Sequence, residues 1–300
     1  MKRKTEKPLR VGVVQMRMGD DPLANTSKAQ AMTRDAIGQG ADIVCLPELF
    51  RSRYFCQTEN AKYFELAEPV PGPTTELFAT LAKESGTSII VSLFERRTAG
   101  LYHNTVAVVD GKKGYVGKYR KMHIPDDPRY YEKFYFTPGD LGFKTFGTDK
   151  ARLGTLICWD QWFPEAARLT AMQGADLLFY PTAIGWHPEE KDRVGIAQHG
   201  AWETMQRSHA VANGCFVVAV NRTGFEPDPA SDGGIEFWGQ SFIAGPDGRI
   251  VWKAPADEEC VAVLDLSLAE IADVRVGWPF FRDRRIDAYG DLDRRYLDAD

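Results

Sequence analysis

Cys158 stands where the apolar stretch Leu153 to Ile157 gives way to Trp159-Asp160-Gln161-Trp162-Phe163-Pro164 and a helix, a strand-turn-helix arrangement that exposes a nucleophile. The ordinary alternative for a strand cysteine is a small buried hydrophobe, the role expected of Cys45, Cys215 and Cys260. Glu48 ends Ile43-Val44-Cys45-Leu46-Pro47, a run that reads as a buried central strand. A desolvated carboxylate has a raised pKa and can serve as a base near neutrality, whereas a solvated one at a strand end does nothing. Lys121 lies in Gly117-Lys118-Tyr119-Arg120-Lys121-Met122-His123-Ile124-Pro125, after a hairpin strand that begins near Tyr115. Three cations in such a run would ordinarily make a solvated face.

The elements that must position these residues alternate short β-branched runs with amphipathic stretches, the pattern of an α/β fold. Strands are predicted at Leu9 to Met16, Ile43 to Pro47, Ser88 to Phe94, Thr105 to Val109, Leu153 to Trp159, Leu177 to Pro181, Phe216 to Asn221, Ser241 to Ala244 and Val261 to Asp265. Ala29, Met32, Ala36 and Ile37 share one face of a helix that Asn25 could cap and Gly40 would end. Further helices are predicted at Thr75 to Glu84, Pro164 to Gln173 and Val194 to Asn213. Gln39-Gly40-Ala41-Asp42, four apolar residues and Pro47 recur 134 residues later as Gln173-Gly174-Ala175-Asp176, four residues and Pro181. Later elements follow in the same order, down to Asp-Gly turns at Asp110-Gly111 and Asp247-Gly248, so two related halves are expected. The position after Pro47 is Glu48 but that after Pro181 is Thr182, so chemistry is expected once per chain.

Among 300 residues, 44% are hydrophobic and 37 Lys+Arg face 42 Asp+Glu, a net charge of -5. This composition predicts a soluble protein with neither nucleic-acid nor membrane partners, because it offers no basic field and its apolar runs are only a few residues long. The basic start Met1 to Lys7 precedes an apolar stretch too short for a signal peptide, so a cytoplasmic location is expected. Five scattered cysteines without a CxxC pair suggest neither a disulfide framework nor a zinc site. No Pro/Gly/Ser-rich linker divides the halves; residues 8–275 are expected to form one domain, and 276–300 an arm that packs in an oligomer.

Taken together, Leu46-Pro47-Glu48, Tyr119-Arg120-Lys121-Met122-His123-Ile124-Pro125 and Ile157-Cys158-Trp159-Asp160 resemble the landmarks of the nitrilase superfamily of carbon-nitrogen hydrolases. Tyr54-Phe55-Cys56-Gln57, Glu132 to Phe136, Trp159 to Arg168 and Phe179 to Gly185 look most like its N-carbamoylputrescine amidase branch. The resemblance implies a four-layer αββα sandwich with two pseudo-symmetric halves. It implies Cys158 as nucleophile, Glu48 as base, Lys121 and the Trp159 backbone N–H as oxyanion stabilisers, and Glu132 as a supporting carboxylate. It also implies a small-molecule N-carbamoyl amine as substrate, no cofactor or metal, and a homo-oligomer built from dimers. Other activities of the superfamily, on 3-ureidopropionate, N-carbamoyl-D-amino acids, aliphatic amides or nitriles, are the alternatives. No cation follows Cys158 to receive a substrate carboxylate, and acids populate the 126–127 and 189–192 loops. Asp126 and Glu190 are therefore expected to meet an ammonium tail, with Tyr54, Phe55 and Trp162 walling its methylene chain. A rival reading pairs Cys158 with one of His103, His123, His187, His199 or His209.

Overall fold

Runs of β-branched residues bounded by glycine or aspartate turns form the strands, and six of them make each of two sheets. In the computed structural model, which describes residues 7–298, the first sheet has the order Cys260–Leu266, Leu9–Gln15, Ile43–Cys45, Ser88–Thr98, Leu101–Asp110, Gly114–Arg120. Its three inner strands from Leu9, Ile43 and Ser88 run parallel, and the flanking pairings are antiparallel. The second sheet repeats this plan with Thr145–Gly147, Arg152–Thr155, Leu177–Thr182, Phe216–Asn221, Phe242–Ala244 and Ile250–Lys253.

The sequence echo is built into matching turns. Gly40 and Gly174 take the left-handed backbone, with φ of 89° and 88°. The Asp42 carboxylate accepts from the Arg10 N–H at 3.0 Å, and that of Asp176 from the Arg152 N–H at 2.8 Å. Gly12 and Gly154 face the covering helices closely: a Cβ would stand 3.2 Å from Ala36 Cβ in one half and 2.5 Å from Thr170 Cγ2 in the other.

Alternation divides the inner strands between two cores. Val11, Val13, Ile43, Cys45 and Ile90 join Leu153, Leu177, Phe179 and Val218 between the sheets. Val14, Val44, Ile89 and Val91 pack instead on Ala29, Ala36, Phe78 and Leu81 of helices Pro22–Gly38 and Pro73–Ser85. Helices Pro164–Met172 and Lys191–Asn213 cover the other sheet through Ala166, Ala167, Trp202 and Ala210, which completes an αββα sandwich. Each fully buried aliphatic side chain contributes roughly 1.5–3 kcal/mol, so strands buried on both faces anchor the elements that carry the site.

Two local expectations are corrected, and one sheet is added. Asp21, not Asn25, caps the first helix, accepting from the Leu23 N–H; Asn25 is buried within it and bonds Gly19 and the Arg51 carbonyl. Cys260 is half-buried on an edge strand rather than a core residue. A third sheet of Gly185–Trp186, Gly234–Trp238 and Thr223–Pro227 was not anticipated, and it walls the cleft described next. Among the described residues no helix is long and apolar enough to cross a membrane. After helix Ala269–Gly277 the chain exposes Trp278 (55%) and Phe280 (42%), while Phe281 lies between the guanidinium groups of Arg168 and Arg275.

Candidate active site

Cys158 opens a 3₁₀ turn, Cys158–Trp162, with φ of 39°, a backbone that non-glycine residues adopt only when their surroundings hold it. Two buried side chains of the turn do the holding. Asp160 accepts from the Ile157 N–H (2.9 Å), Tyr119 Oη (2.8 Å) and both the N–H and Nδ1 of His123 (3.0 and 2.7 Å), tying the turn to the Lys121 segment. Gln161 Oε1 accepts from Trp202 Nε1 and Gln206 Nε2, both at 2.9 Å, tying it to the long helix.

Glu48, Lys121 and Glu132 meet in a fully buried cluster behind Cys158. Lys121 Nζ lies 2.9 Å from Glu48 Oε1 and 2.7 Å from Glu132 Oε2. Asn104 Nδ2 donates to Glu48 Oε1 at 2.7 Å, and Tyr54 Oη donates to Glu132 Oε1 at 2.6 Å. Glu48 Oε2 is buried with no hydrogen-bond partner among the described residues, which leaves one carboxylate oxygen available to a proton. None of the cations around Lys121 forms the ordinary solvated face: Lys118 and Arg120 both engage Glu95, and Arg120 also engages Asp140. Although burial opposes it, hydrogen bonds from Arg120, Lys118 and Thr105 hold the Glu95 carboxyl down at about 2.

Burial, then the charge of Glu48, pushes the Cys158 thiol well above its ordinary pKa, against the pull of Lys121. The sulfur therefore rests as a thiol rather than as the thiolate that proximity to Lys121 would suggest, and it needs a base at the moment of attack. Burial alone would lower the Lys121 pKa, but Glu132 and Glu48 hold the ammonium well above its ordinary value. Burial pushes the Glu132 carboxyl up to about 7, with Lys121 opposing.

Cys158 opens onto a cleft of about 600 Å³, also lined by Trp159, Trp162, Tyr130, Trp238, His187 and the acids Asp127, Glu189 and Glu190. Trp162 and Glu190, two of the expected substrate contacts, line this cleft. Three expected substrate contacts are not on the cleft wall. Tyr54 lies behind it, turned to Glu132; Phe55 stacks on Phe94 at 5.0 Å in a separate aromatic cluster; and Asp126 yields its place to Asp127. Tyr130 and Trp238, which sequence reasoning missed, supply aromatic wall instead, and neither belongs to a pattern that would single it out. Arg129 Nη1 engages Glu189 Oε1 at 2.5 Å and His187 Nδ1 at 3.1 Å. Burial, then Arg129, lowers the His187 pKa. The cysteine-histidine pairing is not formed, since the hydrogen-bond contact of Cys158 Sγ is the Ala183 carbonyl at 3.8 Å. Among the described residues no three His, Cys, Asp or Glu side chains are grouped to hold a metal ion.

A family model described as carbon-nitrogen hydrolase matches residues 10–276. The chain is 45% identical to an N-carbamoylputrescine amidase of Solanum lycopersicum, over 93% of each chain. It is 38% identical to a citrullinase of Francisella tularensis subsp. tularensis, over 96% of this chain and 99% of that one. A crystal structure of a carbon-nitrogen hydrolase from Helicobacter pylori G27 superposes with a TM-score of 0.93 at 44% identity, covering 96% of this chain and 99% of the other.

Proposed function

Because the chain belongs to the carbon-nitrogen hydrolase family, we propose that it cleaves the ureido group of an N-carbamoyl amine, with N-carbamoylputrescine yielding putrescine, ammonia and carbon dioxide. The observation that carries this substrate class is the charge of the cleft: among the described residues its lining includes Asp127, Glu189 and Glu190 but no lysine or arginine. A substrate whose far end is an ammonium is attracted there, whereas a carboxylate would be repelled. Arg129 already engages Glu189, and Glu190 is held by Arg193 at 3.5 Å and by Gln198 at 3.1 Å, so Asp127 is the acid left to meet the ammonium, with Trp162, Tyr130 and Trp238 against the methylene chain.

Two nitrogens donate into a ureido carbonyl and make it a poor electrophile, so both an activated sulfur and a strong oxyanion site are required. Cys158 Sγ bonds to the carbonyl carbon while its proton passes to Glu48 Oε2. The carbonyl oxygen, now an oxyanion, accepts from Lys121 Nζ and the Trp159 backbone N–H. Collapse breaks a carbon–nitrogen bond, and the departing nitrogen takes the proton from Glu48. Glu48 then removes a proton from water, whose oxygen attacks the carbon of the S-carbamoyl intermediate; the carbon–sulfur bond breaks as Glu48 returns the proton to Cys158 Sγ, and the carbamic acid set free loses carbon dioxide to give the second amine. Glu132 keeps Lys121 aimed throughout.

Five free thiols suit a reducing compartment, which supports a cytoplasmic location, and the exposed apolar arm supports a homo-oligomer built from dimers. Ammonia release across N-carbamoylputrescine, citrulline, 3-ureidopropionate and an N-carbamoyl-D-amino acid tests the substrate. The expected kcat/KM for N-carbamoylputrescine exceeds the others by at least ~10-fold, since one unpaired charge at the far end costs more than about 1.4 kcal/mol. Equal or better turnover of 3-ureidopropionate would sink the cationic-tail reading, and preference for citrulline would move the enzyme toward its citrullinase relative.

A further inference from the structure

Arg222 is wholly buried, a costly place for a guanidinium unless its partners offset the lost hydration. Those partners are concentrated on the chain that follows the base. Nη2 donates to the carbonyls of Glu48 (2.7 Å) and Leu49 (3.2 Å), and Nη1 to that of Ser52 (3.2 Å). Nη1 also meets Glu226 Oε1 at 2.8 Å, and the second oxygen of Glu226 accepts from the Tyr54 N–H at 2.5 Å. The rings of Phe237 and Tyr54 lie 5.2 and 5.7 Å from the guanidinium carbon. Leu49 has φ of 49°, a conformation a branched residue keeps only under constraint, and Arg222 supplies two of the constraints.

Arg222 follows directly on the strand Phe216–Asn221 of the second sheet, so it reaches from one pseudo-symmetric half into the other. Its neighbour Asn221 serves the opposite wall. Asn221 Oδ1 accepts from the Ile184 N–H at 3.1 Å, Nδ2 donates to the Ile184 carbonyl at 2.9 Å, and the adjoining Ala183 carbonyl is the one that touches Cys158 Sγ. One strand end therefore grips both the backbone of the base and the wall beside the nucleophile.

We infer that Arg222, braced by Glu226, is a positioning residue that fixes Glu48 at working distance from Cys158 and Lys121. The inference rests on Glu48 acting as the base for Cys158. Asn104 and Lys121 hold the Glu48 carboxylate by one oxygen, so without Arg222 the backbone that carries it is free to shift, and a misplacement near 1 Å costs about 10²-fold in rate.

The test variant is R222M/E226Q, which removes both charges together and strands no buried carboxylate. Two rates are read: ammonia release, and alkylation of Cys158 by iodoacetamide followed by peptide mass spectrometry. The second needs no substrate, so it remains informative should N-carbamoylputrescine prove not to be turned over. Expected are alkylation slowed at least ~10-fold and kcat lowered ~30- to 100-fold with KM held within ~2-fold, because an aimed base matters to proton transfer and not to binding. Millimolar guanidinium should partly restore both rates in Arg222→Ala, a rescue that a merely structural arginine would not show. Should the double variant not fold, Arg222→Lys keeps the charge without the planar fork and is expected to slow alkylation at least ~5-fold. A folded variant with parental alkylation and turnover, or a loss confined to KM, would overturn the inference.

Discussion

Replacing Glu132 with glutamine should make the protein more stable as the pH rises, while making it a worse catalyst. In the folded state the Glu132 carboxyl is pushed up to about 7 from an ordinary 4.5, by burial above all. Between those values the folded chain holds a proton that the unfolded chain has lost. The stabilisation is complete below about pH 4.5, and it is lost as the pH rises through about 7. At about 1.4 kcal/mol per pH unit, this displacement is worth about 3 kcal/mol across the window. Glutamine stays neutral, and its amide can accept from Lys121 and donate to Tyr54 Oη, the two groups that Glu132 now bonds. The advantage of Glu132→Gln over the parent should therefore widen by about 3 kcal/mol between about pH 4.5 and 8, roughly 5 °C in Tm for a chain of this length. Thermal melts at pH steps across that interval measure it, alongside kcat, which should fall as Lys121 loses one of its two carboxylate anchors. A difference in Tm that stays flat with pH would refute the reasoning, because it would mean that Glu132 does not titrate in the folded protein.

Cys158→Ala should remain folded and lose at least about 10⁴-fold in kcat, and Glu48→Gln and Lys121→Ala should each lower kcat by about 10²- to 10⁴-fold with little effect on KM. Initial-rate measurements of ammonia release decide this, and a change confined to KM would remove the residue from the proposed triad. Deleting residues 277–300 should reduce the oligomer mass seen by light scattering, because Trp278 and Phe280 are exposed on the single chain; an unchanged mass would count against an interface there.

The inner strands were legible because a strand buried on both faces must be apolar at every position, which writes an unbroken run such as Ile89-Ile90-Val91 into the sequence. The repeated Gly-Ala-Asp was legible for a related reason: each aspartate closes the same turn, by a bond to Arg10 in one half and Arg152 in the other. Gly185–Trp186 and Thr145–Gly147 are two and three residues long, too short for any periodicity to register. The first helix was misjudged although the signal was there. Asp21 and Asn25 are both good capping types, but Pro22 belongs in a first helical turn and so points to Asp21.

The residues with chemistry to do were legible one by one, since Glu48, Lys121 and Cys158 each follow a strand. The partners of Glu48 and Glu132 were not, because Asn104 and Arg222 reach Glu48 across 56 and 174 residues of chain and Tyr54 reaches Glu132 across 78, where no local spacing links them. Aromatic residues mislead in the same way: Tyr54 and Phe55 are adjacent and equally suited to line a pocket, yet one presents its hydroxyl to Glu132 and the other stacks on Phe94. Charge adds a further layer. A sequence counts acids, but a substrate meets only those not already engaged, and Arg129 takes up Glu189 from a loop 60 residues earlier. Arg193 and Gln198 hold Glu190 in turn, so what recognises the ammonium in this reading is Asp127, a remainder left by the reach of two arginines, and that remainder exists only in three dimensions.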